Sequence, residues 1–230
     1  MKFNNIKNLK PAFLTLACLA TLLFYLAFTA SSTAENRITI PIEKSASGIP
    51  DGWELKEWKG TAQFEVVDTE AGKTIHLKSS STSSALYREV KFDIREYPYI
   101  SWKWKVTKIP EGADVRKKST DDQAAQVYVI FPKFPAVVNS RLVGYIWDTG
   151  APQGSTVTST KTSNTRYVVI RSGSAGLGEW FTEKRNVYED YKRLFGEEPP
   201  SVGKVSVMID SDDTKSTAES YIGDIYFSKE

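Results

Sequence analysis

Cysteine and histidine are almost missing from this 230-residue chain: Cys18 and His76 stand alone. Cys18 lies in an N-terminal leader, so the remaining body holds no thiol. That excludes a disulfide framework, a cysteine nucleophile and a cysteine-rich zinc site. One histidine leaves no imidazole pair for a metal, and no G-x-S-x-G elbow surrounds Ser84 or Ser172, so a Ser-His-Asp triad is not expected either. Charge of one sign is also lacking. Residues from Glu35 onward carry 27 basic against 28 acidic side chains, and the densest basic run, Arg116-Lys117-Lys118, is followed by Asp121-Asp122. No basic stripe for nucleic acid remains. Disorder is excluded by what is abundant, namely six Trp, eleven Tyr and eleven Phe.

Residues 1–34 combine Lys2, Lys7 and Lys10, an apolar run from Pro11 to Ala30, and the small residues Ser31 to Ala34. This is the order of a secretory signal, which predicts cleavage near Glu35 and a periplasmic or secreted protein. The apolar run approaches the roughly 20 residues that span a bilayer. An uncleaved anchor in the inner membrane, with the body facing the periplasm, is therefore the alternative, and it is the only membrane contact expected.

The body, 35–230, reads as a single domain. Nine segments alternate with period two between Gly, Pro, Ser and Asp clusters: 63–68, 74–79, 85–92, 99–105, 125–131, 142–147, 167–172, 204–209 and 221–228. The pattern predicts a mainly β fold, an antiparallel two-sheet β-sandwich of jelly-roll or galactose-binding-like kind. In Ile100-Ser101-Trp102-Lys103-Trp104-Lys105-Val106 the apolar residues share one face, which assigns Trp102 and Trp104 to the core. One short inserted helix is expected near 186–195. Asn186 caps it, Glu189 stands three residues later, and Gly196 with Pro199-Pro200 ends it.

The blocks Trp102-Lys103-Trp104-Lys105-Val106, Pro110-Glu111-Gly112-Ala113-Asp114 and Asp121-Asp122 with Ala124-Ala125 and Val127-Tyr128-Val129 are followed by Gly178, Trp180, Asp190-Tyr191, Phe195-Gly196, Pro199-Pro200 and Asp210, Asp212, Asp213, Thr214. In this order they resemble a bacterial exported family, the domain of unknown function 3047. The resemblance runs from about Gly52 to the C-terminus and implies an exported compact domain, with no catalytic residues to carry over. The opening Gly48-Ile49-Pro50-Asp51-Gly52-Trp53, followed by Trp58, is also similar to the first strands of galactose-binding-like carbohydrate-binding sandwiches.

Chemistry-bearing residues gather at strand ends. Asp121-Asp122 precede one strand, and Asp210, Asp212 and Asp213 follow another. Calcium, bound by six to eight oxygens, is one reading of Asp210, Asp212 and Asp213. Lys215 stands where an EF-hand loop needs glycine, and ordinary turn hydrogen bonding is the other reading. No other cofactor is indicated. Aromatic rings stack on the apolar faces of sugars while acids and amides read hydroxyls. Candidates are Trp53, Trp58, Tyr87, Tyr128, Tyr145, Trp147 and Trp180. The expectation is a binding protein for a polysaccharide or other envelope glycan, with contacts from Trp147, Trp180, Asp121, Asp122, Asp210 and Asp212. A glycoside hydrolase or lyase using two of those carboxylates is the alternative from the enzyme class. A scaffold of the envelope, working through sheet edges, is the third reading.

Overall fold

A computed structural model gives the fold of residues 36–230. The expected leader, with its expected cleavage near Glu35, lies outside the described residues. Residues 37–230 form one compact unit, and among the described residues no helix is long and apolar enough to cross a membrane.

Thirteen strands are described. In chain order they are β1 (Arg37–Thr39), β2 (Glu54–Lys59), β3 (Gln63–Thr69), β4 (Gly72–Ser80), β5 (Ser83–Phe92), β6 (Tyr99–Lys108), β7 (Ala125–Phe131), β8 (Arg141–Asp148), β9 (Thr156–Thr158), β10 (Thr165–Ser172), β11 (Phe181–Asn186), β12 (Val202–Asp210) and β13 (Thr217–Ser228). One sheet runs β11-β6-β13-β4-β3 with β1 also on β13; the other runs β2-β5-β12-β7-β8-β10-β9. All nine segments read from the alternation are strands. The four others, β1, β2, β9 and β11, are short or largely polar, so they lack an apolar face to announce them.

One pairing departs from the expected antiparallel pattern. β10 lies parallel to β8, with Thr165 opposite Leu142 and Ser172 opposite Asp148. The chain leaves β8, crosses through β9, and re-enters beside β8 in the same direction, which a two-residue hairpin cannot do.

The core fills the space between the sheets. Ile100, Trp102, Trp104 and Val106 of β6 face Val127 and Val129 of β7, Tyr145 and Trp147 of β8, and Val205, Val207 and Ile209 of β12. Trp102 stacks on Tyr145 with ring centres 5.2 Å apart, and Trp104 meets Trp147 edge-on at 5.9 Å. Each such ring withdraws about 150–250 Å² from water, which suits a domain with no disulfide. The helix Val187–Phe195 closes one end, burying Val187, Asp190 and Tyr191. Its Asn186 side chain accepts the Glu189 N–H, and Gly196 ends it at φ 69°, as the sequence predicts.

Candidate functional site

Strand alternation turns every second side chain of the seven-stranded sheet away from the core. The register places these outward residues in rows across the strands. The first row holds Lys59 of β2, Ser83 of β5 and Asp210 of β12. The second runs Lys56, Ala85, Met208, Gln126, Ile146. The third runs Glu54, Tyr87, Ser206, Tyr128, Gly144, Tyr167. The fourth runs Glu89, Lys204, Ile130, Leu142, Thr165. Ser83, Ala85 and Ser206 leave the middle of this face low, while Trp58, Tyr87 and Lys204 stand on one side and Tyr128 and Tyr167 on the other. The result is a groove of about 640 Å³. Its four rows span about 20 Å along the strands, from two residues per row.

Glycine shapes the wall at one position. A Cβ on Gly144 would lie 2.7 Å from Tyr128 Cε1 and 2.9 Å from Tyr167 Cδ1, so its absence lets the two tyrosines lean together, edge to face at 6.2 Å. Val115, Ala151 and Val157 pack over Ile146, Val169 and these rings as a small outer cluster. Asp148 fixes the loops that bring them. Its carboxylate accepts the N–H of Val115 at 3.0 Å, of Gly150 at 2.8 Å and of Ala151 at 2.5 Å.

The acids collect at one end, because β12 finishes where β7 begins. Asp121, 2% exposed, accepts Gln123 Nε2 at 3.0 Å and the Thr160 hydroxyl at 3.1 Å. Asp122 is turned under the groove, where it accepts the Asp213 N–H at 3.1 Å and the Thr214 N–H and hydroxyl at 2.6 Å each. Oxygens of Asp122, Asp210 and Asp212 lie within 4.8 Å of one another. Burial, and then the neighbouring Asp212 and Asp122 carboxylates, push the Asp210 carboxyl far above its usual range. Burial also raises Asp121. Two lysines balance the cluster: Lys59 sits 3.5 Å from Asp212 and Lys161 sits 2.8 Å from Asp213. Burial alone would lower Lys161, but its bond to Asp213 and the charges of Asp210 and Asp121 hold it above the ordinary lysine range. Tyr128 and Tyr167 are raised by burial, Tyr167 to about 12, so both are neutral phenols at physiological pH.

The residues expected as contacts therefore separate. Asp121, Asp210 and Asp212 line the groove together, with Asp122 just beneath. Trp147 does not reach it: the ring is fully buried in the core and its indole N–H donates to the Gly173 carbonyl at 3.0 Å. Its inward place follows from the alternation of β8, where Ile146 and Asp148 take the outward positions. Trp180 lies by the outer face of the six-stranded sheet. There its N–H donates to Glu70 at 2.5 Å, and Lys105 covers its ring at 4.9 Å. Of the other aromatic candidates, Trp58, Tyr87 and Tyr128 line the groove, whereas Trp53 and Tyr145 are core. Asp213, grouped with Asp210 and Asp212 for calcium, pairs with Lys161 while Asp122 takes its place in the cluster. Gln126, Tyr167, Ser206 and Met208 also line the groove, and no motif in the sequence announces them. Outward positions alternating with apolar runs are the signal that marks them, and it requires knowing which face is open.

Fold and groove together define a β-sandwich with a concave face on its larger sheet. The chain belongs to the family described as protein of unknown function DUF3047, whose profile matches residues 51–226. No curated protein matches the sequence. Among solved structures, the chain is similar to the family 30 carbohydrate-binding module of a cellulosomal cellulase of Clostridium thermocellum, with TM-score 0.50, 14% identity, and coverage of 84% of this chain and 98% of that one. It is also similar to a family 11 carbohydrate-binding module of the same organism, with TM-score 0.44, 9% identity, and 82% and 93% coverage. A cellulase derived from that of Rhodothermus marinus gives TM-score 0.45, 11% identity, and 82% and 96% coverage.

Proposed function

We propose that the protein is an exported, non-catalytic glycan-binding protein of the cell envelope, and that the concave face of the seven-stranded sheet holds the glycan. One observation carries this reading: a groove walled by Trp58, Tyr87, Tyr128 and Tyr167 that also presents buried polar groups. Aromatic walls take the apolar faces of sugar rings, and polar groups fixed by their own hydrogen bonds read hydroxyls without ordering costs at binding. The likeness to carbohydrate-binding modules supports it. Binding is favoured over hydrolysis by the placement of the carboxylates. Glycosidases flank the scissile bond with two acids, whereas Asp121, Asp210 and Asp212 crowd one end, and the middle rows carry Gln126, Tyr128, Ser206 and Met208.

The test is affinity electrophoresis of the full-length protein in gels containing soluble polysaccharides, with Trp58→Ala and Tyr128→Ala beside it. Trp58 is 59% exposed, so its loss should leave melting unchanged and weaken retardation by about 10-fold or more, the worth of a stacking aromatic anchor. Retardation by no polysaccharide, or equal retardation of both variants, would refute the assignment.

A further inference from the structure

Gln126 occupies the second row of the groove, on β7, with Met208 and then Ala85 beside it on one side and Ile146 on the other. The residue is 1% exposed. Its Oε1 accepts the Tyr128 hydroxyl, which leaves Nε2 directed away from Tyr128. Among the described residues, Nε2 has no hydrogen-bond partner. An unpaired buried amide donor is unfavourable, so a groove that keeps one is suited to a ligand that supplies the acceptor.

The neighbours restrict what that acceptor is. Lys56, Ala85, Met208 and Ile146, the rest of the row, offer donors and apolar surface. Their side chains carry no carbonyl, carboxylate or hydroxyl, and the Gln126 carbonyl is already taken. A sugar hydroxyl brought here would satisfy Nε2 and could pass its own proton to Ser206 or Asp210 in the adjoining rows, but it would leave the apolar surface of Met208 and Ala85 uncovered. A ligand carboxylate would be placed near the acids of Asp121 and Asp212 at the end of the groove. A neutral acetamido group meets both conditions: its carbonyl accepts from Nε2 while its methyl covers that surface, and it brings no charge. If the amide ends in a methyl group, that methyl has Met208 and Ala85 to pack against, and the amide N–H has the oxygens of Ser206 and Asp210 in the adjoining rows.

We infer that the groove selects glycans built from 2-acetamido sugars, with Gln126 as the specificity-determining donor to the acetamido carbonyl. This rests on the glycan-binding reading of the same groove and narrows its ligand to N-acetylated amino-sugar polymers.

The experiment is calorimetric titration of the full-length protein with three hexamers of matched β-1,4 linkage: N-acetylglucosamine, glucosamine and glucose. The acetylated hexamer should bind at least about 10-fold more tightly than either of the others, the discrimination expected when a buried donor would otherwise be left unpaired. Gln126→Met should erase most of that preference, bringing the acetylated and glucose hexamers to similar affinity. Gln126→Leu also removes the donor; it serves the same purpose if the Met variant does not fold, and the comparison in the unaltered protein needs no variant. Equal or tighter binding of the glucose hexamer, or an acetyl preference that survives both substitutions, would overturn the inference and leave glycan binding standing. Binding of none of the three, together with no retardation in any polysaccharide gel, would overturn both.

Discussion

At the scale of single residues, burial decides which of two similar side chains serves stability and which is free for a ligand. Trp147 and Trp180 each stand beside an acid and a glycine-containing loop in sequence, yet Trp147 is sealed between the sheets and Trp180 rests half-buried under Lys105. Trp147→Ala should destabilise the protein by about 3–5 kcal/mol, as large core truncations do, while Trp180→Ala should cost much less; urea unfolding of both reads the difference. Asp210 gives a pH-dependent counterpart. Its folded-state carboxyl is raised by burial first and by Asp212 and Asp122 next, so the folded protein holds this proton more tightly than the unfolded chain does. A carboxyl raised in this way contributes stability while protonated and loses it as pH climbs above the ordinary carboxylate range. Asp114, held down to about 2 first by its hydrogen bond from Arg116, is ionised in both states across the same window and adds no slope. The protein should therefore melt lower at pH 8 than at pH 5. Asp210→Asn should shrink that gap and melt above the unaltered protein at pH 8, by about 2–4 °C per kcal/mol recovered. An unchanged gap would show that Asp210 does not hold its proton.

At the scale of elements, local signals were legible where one element faces one environment. The helix was readable from end to end because capping chemistry is local: Asn186 accepts Glu189 N–H at 3.0 Å, and Gly196 takes the left-handed turn. Asn186→Ala should lower stability by about 1 kcal/mol and raise amide exchange in the first helical turn, measurable by hydrogen exchange of that segment. β6 was readable because its alternation is strict. β7 was readable as a strand but not as a site, because in Ala125-Gln126-Val127-Tyr128-Val129-Ile130-Phe131 nearly every position is apolar and both faces are largely covered, one by the core and one by Tyr167 and the 149–164 excursion. A run without contrast between faces does not say which side is open. β9 and the parallel entry of β10 were also hidden, since both depend on where a Ser/Thr-rich connection returns.

At the scale of the whole molecule, charge is spent internally more than displayed. The lysines that line the acidic end of the groove already face carboxylates, Lys59 to Asp212 and Lys161 to Asp213, and both Asp122 oxygens hold the turn that follows β12. A chelator should accordingly leave the melting temperature where it is, because lysines and backbone N–H groups already answer this negative charge. A fall in chelator, restored by Ca²⁺, would show instead that Asp122, Asp210 and Asp212 hold a cation.

The sandwich, its nine principal strands, its one capped helix and the core placement of Trp102 and Trp104 are written in the sequence, because alternation, turn residues and caps act over a few neighbouring positions. The sequence also brought the acids of two distant segments into consideration, since both lie at strand ends. The fold alone sets β12 between β5 and β7, which draws Asp121, Asp210 and Asp212 to one end of a single groove. Only it decided that Gly144 admits Tyr128 and Tyr167 as a wall, and that Gln126 keeps an unpaired donor beside Met208. Those are matters of register between segments far apart in the chain, as where Ser83 pairs with Asp210, and register is set by the packing of whole faces against one another.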